Sequence, residues 1–305
     1  MKLNCLATGS IMTHTLTATL EPYLQLMRLD RPVGTLLLLW PTLAALWLAA
    51  EGLPPWHLLF VFTLGTFVMR SAGCVINDFA DRGWDQHVQR TAARPLTAGR
   101  ISERQAMLLF AGLSLTAALL LLFLNPLARW LALGGFAIAV LYPFLKRWTY
   151  LPQVGLGAAF SWGLIMAYAS VQDRVPSEAW LLFLASLLWI VAYDTVYAMV
   201  DREDDLQVGI KSTAILFGTA DRLMVGVLQL SALITLLLLG QRLNLGGFYH
   251  LGLLACLVLF GYQQYLIRHR RADDCFKAFL NNVWVGFSLF AGVVLDTMLQ
   301  FQLQP

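Results

Sequence analysis

Apolar residues in this chain gather into runs close to the ~20 residues that cross a hydrocarbon layer. Short polar breaks separate them. The runs predict helices at about 33–50, 57–76, 106–124, 130–145, 153–171, 179–200, 223–240, 248–267 and 278–295. Since only helices or closed barrels span a bilayer, this predicts an all-α polytopic membrane protein with nine transmembrane helices. Inside those windows only Arg70 and Asp194 carry a formal charge. A charge at mid-membrane costs roughly 2.5–3.5 kcal/mol on insertion scales, so both need a reason. Arg70 is long enough to snorkel to the membrane edge. Asp194 is not, and a polar cavity accounts for the pair.

Composition agrees: 58% of the 305 residues are hydrophobic and 13% charged, against about 25% charged in a soluble domain. A water-soluble enzyme is excluded. The net charge is +3, from cations scattered singly, which also argues against nucleic acid as a partner. Cys5, Cys74, Cys256 and Cys275 lie far apart, without a CxxC or metal-ligand spacing, and read as free thiols. Residues 1–21 lack the compact apolar core of a signal peptide. They are expected to form a flexible tail on a single transmembrane domain covering 1–305, with no obligate protein partner evident.

Eighteen of the 21 Lys and Arg, counting Arg70 within the second span, fall on one set of alternating loops and the spans leading into them; only Arg129, Arg174 and Arg242 fall on the other. The positive-inside rule then places the N-terminus in the cytoplasm and the C-terminus outside. Fourteen of the 18 acids also lie on the inner side, although insertion makes no such demand of acids. The outer connectors, 51–56 and 125–129, are short. Chemistry is therefore expected at the inner face.

Two acidic motifs stand there. On a helix continuing past Ile76, residues Asn77, Asp78, Asp81 and Asp85 share one face. Where the sixth run ends, Asp194, Tyr197, Asp201 and Asp205 are spaced to line one face of a continuing helix. The pairs Asp81/Asp85 and Asp201/Asp205 match, four spans apart, which suggests a parallel duplication of a four-helix unit plus one further helix. Like charges at i,i+4 repel, so two facing carboxylate stacks call for cations. Hard oxygens suit Mg2+, which commonly bridges carboxylates and substrate phosphates. The loops after the motifs are basic (Arg90, Arg94, Arg100; Lys211; Lys146 and Arg147), able to hold diphosphate oxygens or simply to set topology. Asn281 and Asn282, at the inner end of the ninth span, fit either helix-to-helix hydrogen bonding or cavity lining.

The two motifs as a pair resemble the signatures of the UbiA superfamily of intramembrane aromatic prenyltransferases. Arg28-Leu29-Asp30-Arg31-Pro32-Val33-Gly34, Tyr142-Pro143-Phe144-Leu145-Lys146-Arg147 and Gly209-Ile210-Lys211-Ser212-Thr213-Ala214 extend the likeness over about 22–295, toward bacterial members that act on 4-hydroxybenzoate. The resemblance implies transfer of a polyprenyl chain from polyprenyl diphosphate to the ring carbon ortho to the hydroxyl of 4-hydroxybenzoate, in ubiquinone synthesis at the bacterial inner membrane. It implies that Asp81, Asp85, Asp201 and Asp205 bind Mg2+ and diphosphate, with Asp78 joining the metal set and Asn77 and Asp194 in support.

The aromatic carboxylate then needs a cation, for which Arg28, Arg31, Arg70 and Arg147 are candidates and Arg147 is preferred. Asp194 with Tyr197 would orient the phenol or accept the ring proton. An apolar cavity open sideways to the bilayer would admit the polyprenyl tail and keep water from the allylic cation. Alternatives are a same-fold enzyme acting on homogentisate, dihydroxynaphthoate, haem or chlorophyllide. A phosphatidyl-type phosphotransferase would carry a DGxxAR run, absent here. A cation transporter would place its acids near the midplane, often with inverted repeats.

Overall fold

The computed structural model describes residues 20–86 and 91–303; Cys5, Arg90 and nearly all of the expected tail lie outside them. Among the described residues the chain is entirely helical, without a strand. The helices are α1 (Val33–Ala50), α2 (Trp56–Asp85), α3 (Glu103–Leu120), α4 (Pro126–Leu145), α5 (Pro152–Gln172), α6 (Ser177–Val200), α7 (Arg202–Val208), α8 (Thr213–Phe217), α9 (Asp221–Arg242), α10 (Gly247–Leu266) and α11 (Ala272–Leu303). Counting α8 with α9 as one, nine helices among the described residues are long and apolar enough to cross a membrane.

The bundle is arranged about α1 and α6, whose windows are the most buried, whereas those of α3 and α4 are the least buried. Helix α1 packs on α2, α5 and α11; α6 packs on α5, α9 and α11; α2 packs on α3 and α4. Exposed Trp56, Trp130 and Trp180 begin α2, α4 and α6, while exposed Trp148 and Tyr265 mark the opposite end. Amphipathic rings at both ends of a bundle suit the two membrane–water interfaces.

Where lipid replaces water, helices associate through close packing and internal hydrogen bonds. A Cβ on Gly252 would lie 2.7 Å from the Ser288 carbonyl oxygen and 3.2 Å from the Gly292 Cα, so α10 and α11 meet backbone to backbone. About three turns along the same two helices, an amide ladder ties them to α9. Gln264 donates to Gln229 (3.1 Å), Gln229 to Gln263 (2.8 Å) and Gln263 to Asn281 (3.0 Å). Trp189 of α6 donates to Asn282 at 2.8 Å. Both asparagines are helix-to-helix partners, and neither lines the central cavity. Nearer the motif end, buried Asp221 accepts from Arg202 and Arg270, and its hydrogen bond holds the Arg270 pKa above the ordinary guanidinium value.

At the other end, α10 starts after Gly246, which has no side chain with which to cap it. Asp296 of α11 supplies the oxygens, accepting from the Gly246 N–H at 2.6 Å and the Tyr249 N–H at 3.4 Å. Asp296→Ala should lower stability by about 1–2 kcal/mol, the usual worth of a lost cap. The measurement is thermal unfolding in detergent. An unchanged midpoint would contradict the capping role.

Helix α2 is 30 residues long, about 45 Å at 1.5 Å per residue, so it outruns the ~30 Å hydrocarbon core and carries Asp78, Asp81 and Asp85 at its end. Helix α6 differs from the expectation of one continuous face. It stops at Val200; Asp201 turns with φ −98° and ψ 5°, and the separate short α7 begins at Arg202. The break suits the charges of this segment. Acids at a helix C-terminus meet the negative end of its dipole, whereas a fresh start places Glu203, Asp204 and Asp205 in the first turn of α7, at a positive end.

Candidate active site

Both acid-bearing ends open onto one cavity of ≈ 1030 Å³. Its wall includes Arg28, Arg70, Asn77, Asp78, Asp81, Asp85, Arg94, Lys146, Asp194, Tyr197, Asp201, Asp205 and Lys211. Of the residues singled out from sequence, Arg147, Asn281 and Asn282 do not line it, and Arg90 lies outside the described residues. The Arg147 side chain instead donates to the Ala80 carbonyl at 2.8 Å and lies over the Trp84 and Phe144 rings. It braces the acid-bearing end of α2 from outside the cavity.

The first motif is held by cations. Arg28 donates to both Asp78 oxygens at 2.9 Å. Arg94 reaches Asp78 at 3.0 Å and Asp85 at 2.7 Å, and Lys146 pairs with Asp81, which also accepts from Asn77 at 3.2 Å. Local folding delivers these cations. Arg28 follows a helical segment at 20–26 and sits at φ 58°, a left-handed conformation that costs an ordinary residue roughly 1–2 kcal/mol. Arg94 stands on the loop after α2. Leu96 and Ile101 of that loop pack with Leu26, Val75 and Ala106, folding it back over the acids. Lys146 caps α4, and its carbonyl accepts from the Lys211 N–H at 3.2 Å, which brings the segment after α7 against the same wall.

Asp78, Asp81 and Asp85 are almost fully buried, and Asp81 Oδ1 has no hydrogen-bond partner. Among the described residues no three His, Cys, Asp or Glu converge as a formed metal site, because the first-motif carboxylates lean onto Arg28, Arg94 and Lys146. Still, the donor set is all hard oxygen, from two facing elements, with one buried oxygen unsatisfied. A hard divalent cation fits such a set.

Deeper in the cavity the chemistry changes. Tyr142, Phe160, Tyr193, Phe276 and Phe279 join the wall. Arg70 lies among them, its guanidinium 6.0 Å from the Phe160 ring centre and hydrogen-bonded to Cys74. Among the described residues it makes no ion pair, unlike Arg28, Arg94 and Lys146, and its buried Nε has no partner. Buried Tyr193 Oη is likewise unpartnered, its ring set edge-on against Trp189 and Phe279. Cys74 and Tyr193 did not stand out from sequence, although the signal was present: Cys74 lies four residues from both Arg70 and Asp78, and Tyr193 four from Tyr197.

Residues 38–288 match the model of the UbiA prenyltransferase family. A 4-hydroxybenzoate octaprenyltransferase of Marinobacter nauticus is 57% identical over 288 residues, 94% of this chain and 98% of that protein. One from Coxiella burnetii is 58% identical over 273 residues, 90% and 95% of the respective chains. Among solved structures, the apo UbiA homolog from Aeropyrum pernix has a TM-score of 0.77 at 24% identity, covering 86% of this chain and 97% of that one. A UbiA homolog from Archaeoglobus fulgidus bound to GPP and Mg2+ has a TM-score of 0.72 at 17% identity, covering 91% and 99%. At these identities the structural likeness carries the fold.

Proposed function

The chain belongs to the UbiA prenyltransferase family, and from that premise we propose that it transfers a polyprenyl group from its diphosphate to the carbon ortho to the hydroxyl of 4-hydroxybenzoate, a step of ubiquinone synthesis. One observation carries the reading at the level of chemistry. A single cavity joins an acid-and-cation mouth, suited to a diphosphate and metal, to an aromatic interior with an unpaired arginine, suited to an aromatic carboxylate. Relatives at 57–58% identity bear the corresponding name.

In this reading Asp78, Asp81, Asp85, Asp201 and Asp205 hold Mg2+, with Asn77 supporting Asp81. When bound, the metal neutralises negative charge on the leaving diphosphate. Arg28, Arg94, Lys146 and Lys211 hold diphosphate oxygens, the first three exchanging a carboxylate for a phosphate partner. The bond from the prenyl carbon to the diphosphate oxygen breaks as the ring carbon bonds to that prenyl carbon. Aromatic walls exclude water and face the allylic cation with their π systems. Asp194 takes the proton that the ring gives up, and Tyr197 orients the phenol. Arg70, rather than Arg147, binds the carboxylate.

The acids lie on the cytoplasmic side of the bacterial inner membrane, with the N-terminus on that side, because the basic loops flank them. The whole chain acts as one domain, its acid-bearing halves related by parallel duplication. Purified protein should prenylate 4-hydroxybenzoate from octaprenyl diphosphate with Mg2+, stop in EDTA and recover when Mg2+ is restored. Turnover persisting in EDTA would overturn the metal assignment. Turnover of homogentisate but not 4-hydroxybenzoate would overturn the acceptor.

A further inference from the structure

Gly34 lies in the first turn of α1, on the cavity wall. A Cβ built there would stand 2.5 Å from Arg70 Nη2, 2.7 Å from Nε and 2.9 Å from Cζ. All three distances are shorter than real Cβ contacts, and all three atoms belong to one group, the guanidinium at the far end of a flexible side chain. The three nearest atoms are therefore all of one mobile group, and a methyl group at position 34 would displace the guanidinium first. The other side of the group is set by Cys74, which accepts a hydrogen bond from Arg70 Nη1.

We propose that Gly34 is a positioning residue for acceptor recognition: by lacking a side chain it seats the Arg70 guanidinium where it meets the acceptor carboxylate. The proposal rests on the reading of Arg70 as the carboxylate anchor. Gly34 is helical and not at positive φ, so nothing in its own backbone demands glycine. Glycine in a helix is in fact the worse choice for stability, by roughly 0.8–1 kcal/mol against alanine. A residue that costs stability and needs no unusual φ has its reason in the space it leaves. That space also lies by the positive end of the α1 dipole, which favours an anion beside Arg70.

The test is a double-mutant cycle of Gly34→Ala with Arg70→Gln, reading KM for 4-hydroxybenzoate, KM for octaprenyl diphosphate and the thermal midpoint in detergent. Displacing a binding group by about 1 Å can cost up to ~100-fold. Gly34→Ala should therefore raise KM for the aromatic acid by about tenfold or more, with KM for the diphosphate within about twofold and the midpoint equal or higher. On the Arg70→Gln background, where no guanidinium remains to displace, Gly34→Ala should add less than about twofold. If Arg70→Gln raises KM for the acid but Gly34→Ala does not, or if the two effects multiply independently, the positioning role is wrong and the anchor stands. If Arg70→Gln leaves KM for the acid unchanged, the anchor itself is wrong and the proposal falls with it.

Discussion

Asp81→Asn and Asp201→Asn should each lower kcat by on the order of 10³ while the protein still inserts and folds. Metal-based charge stabilisation is worth several kcal/mol, and each 1.36 kcal/mol is a factor of ten in rate. The amide keeps the size of each side chain and removes one hard anionic ligand. Asp81 gives the stronger test, because its Oδ2 is engaged by Lys146 and Asn77 while Oδ1 has no partner. If Asp81 served only to neutralise Lys146, Asp81→Asn would lower stability and leave turnover per folded molecule nearly intact. Measuring kcat beside the thermal midpoint, across a Mg2+ titration, separates the two. Raised Mg2+ should partly rescue the variant, and activity within tenfold of the parent at all Mg2+ concentrations would remove Asp81 from the metal set.

The sequence made the nine crossings legible because lipid requires long unbroken apolar runs, and the first motif legible because α2 continues through it without a break. It misled at Asp201. A helical period of polar residues looks the same whether one helix carries them or a second begins among them, and the dipole argument for a new start depends on how many acids would crowd the old end. Arg147 was attractive as the neighbour of Lys146, yet adjacent residues at a helix end point about 100° apart, so the cavity receives one of them. The relation of Gly34 to Arg70 and of Asp296 to α10 is set by contact between helices distant in the chain. Spacing within one helix carries no information about either.

Arg70→Gln should raise KM for 4-hydroxybenzoate by about 10–150-fold, the ~1.5–3 kcal/mol worth of hydrogen bonds to a charged group, and leave KM for octaprenyl diphosphate within about twofold. The asymmetry follows from place. Arg28, Arg94 and Lys146 already lie against carboxylates at the mouth, where a diphosphate would meet them. Arg70 sits deeper on α2, among aromatic rings and beside Cys74, and the one anion suited to an aromatic chamber is an aromatic acid. A charge test makes this specific. The parent should favour 4-hydroxybenzoate over uncharged 4-hydroxybenzamide, and Arg70→Gln should erase that preference, because the amide offers no charge for a guanidinium to recognise. Arg147→Ala, which removes the bond to the Ala80 carbonyl and the contact with Trp84, should instead loosen the end of α2 and lower kcat with both substrates present, without changing the preference. A preference unchanged in Arg70→Gln but lost in Arg147→Ala would return the anchor to Arg147.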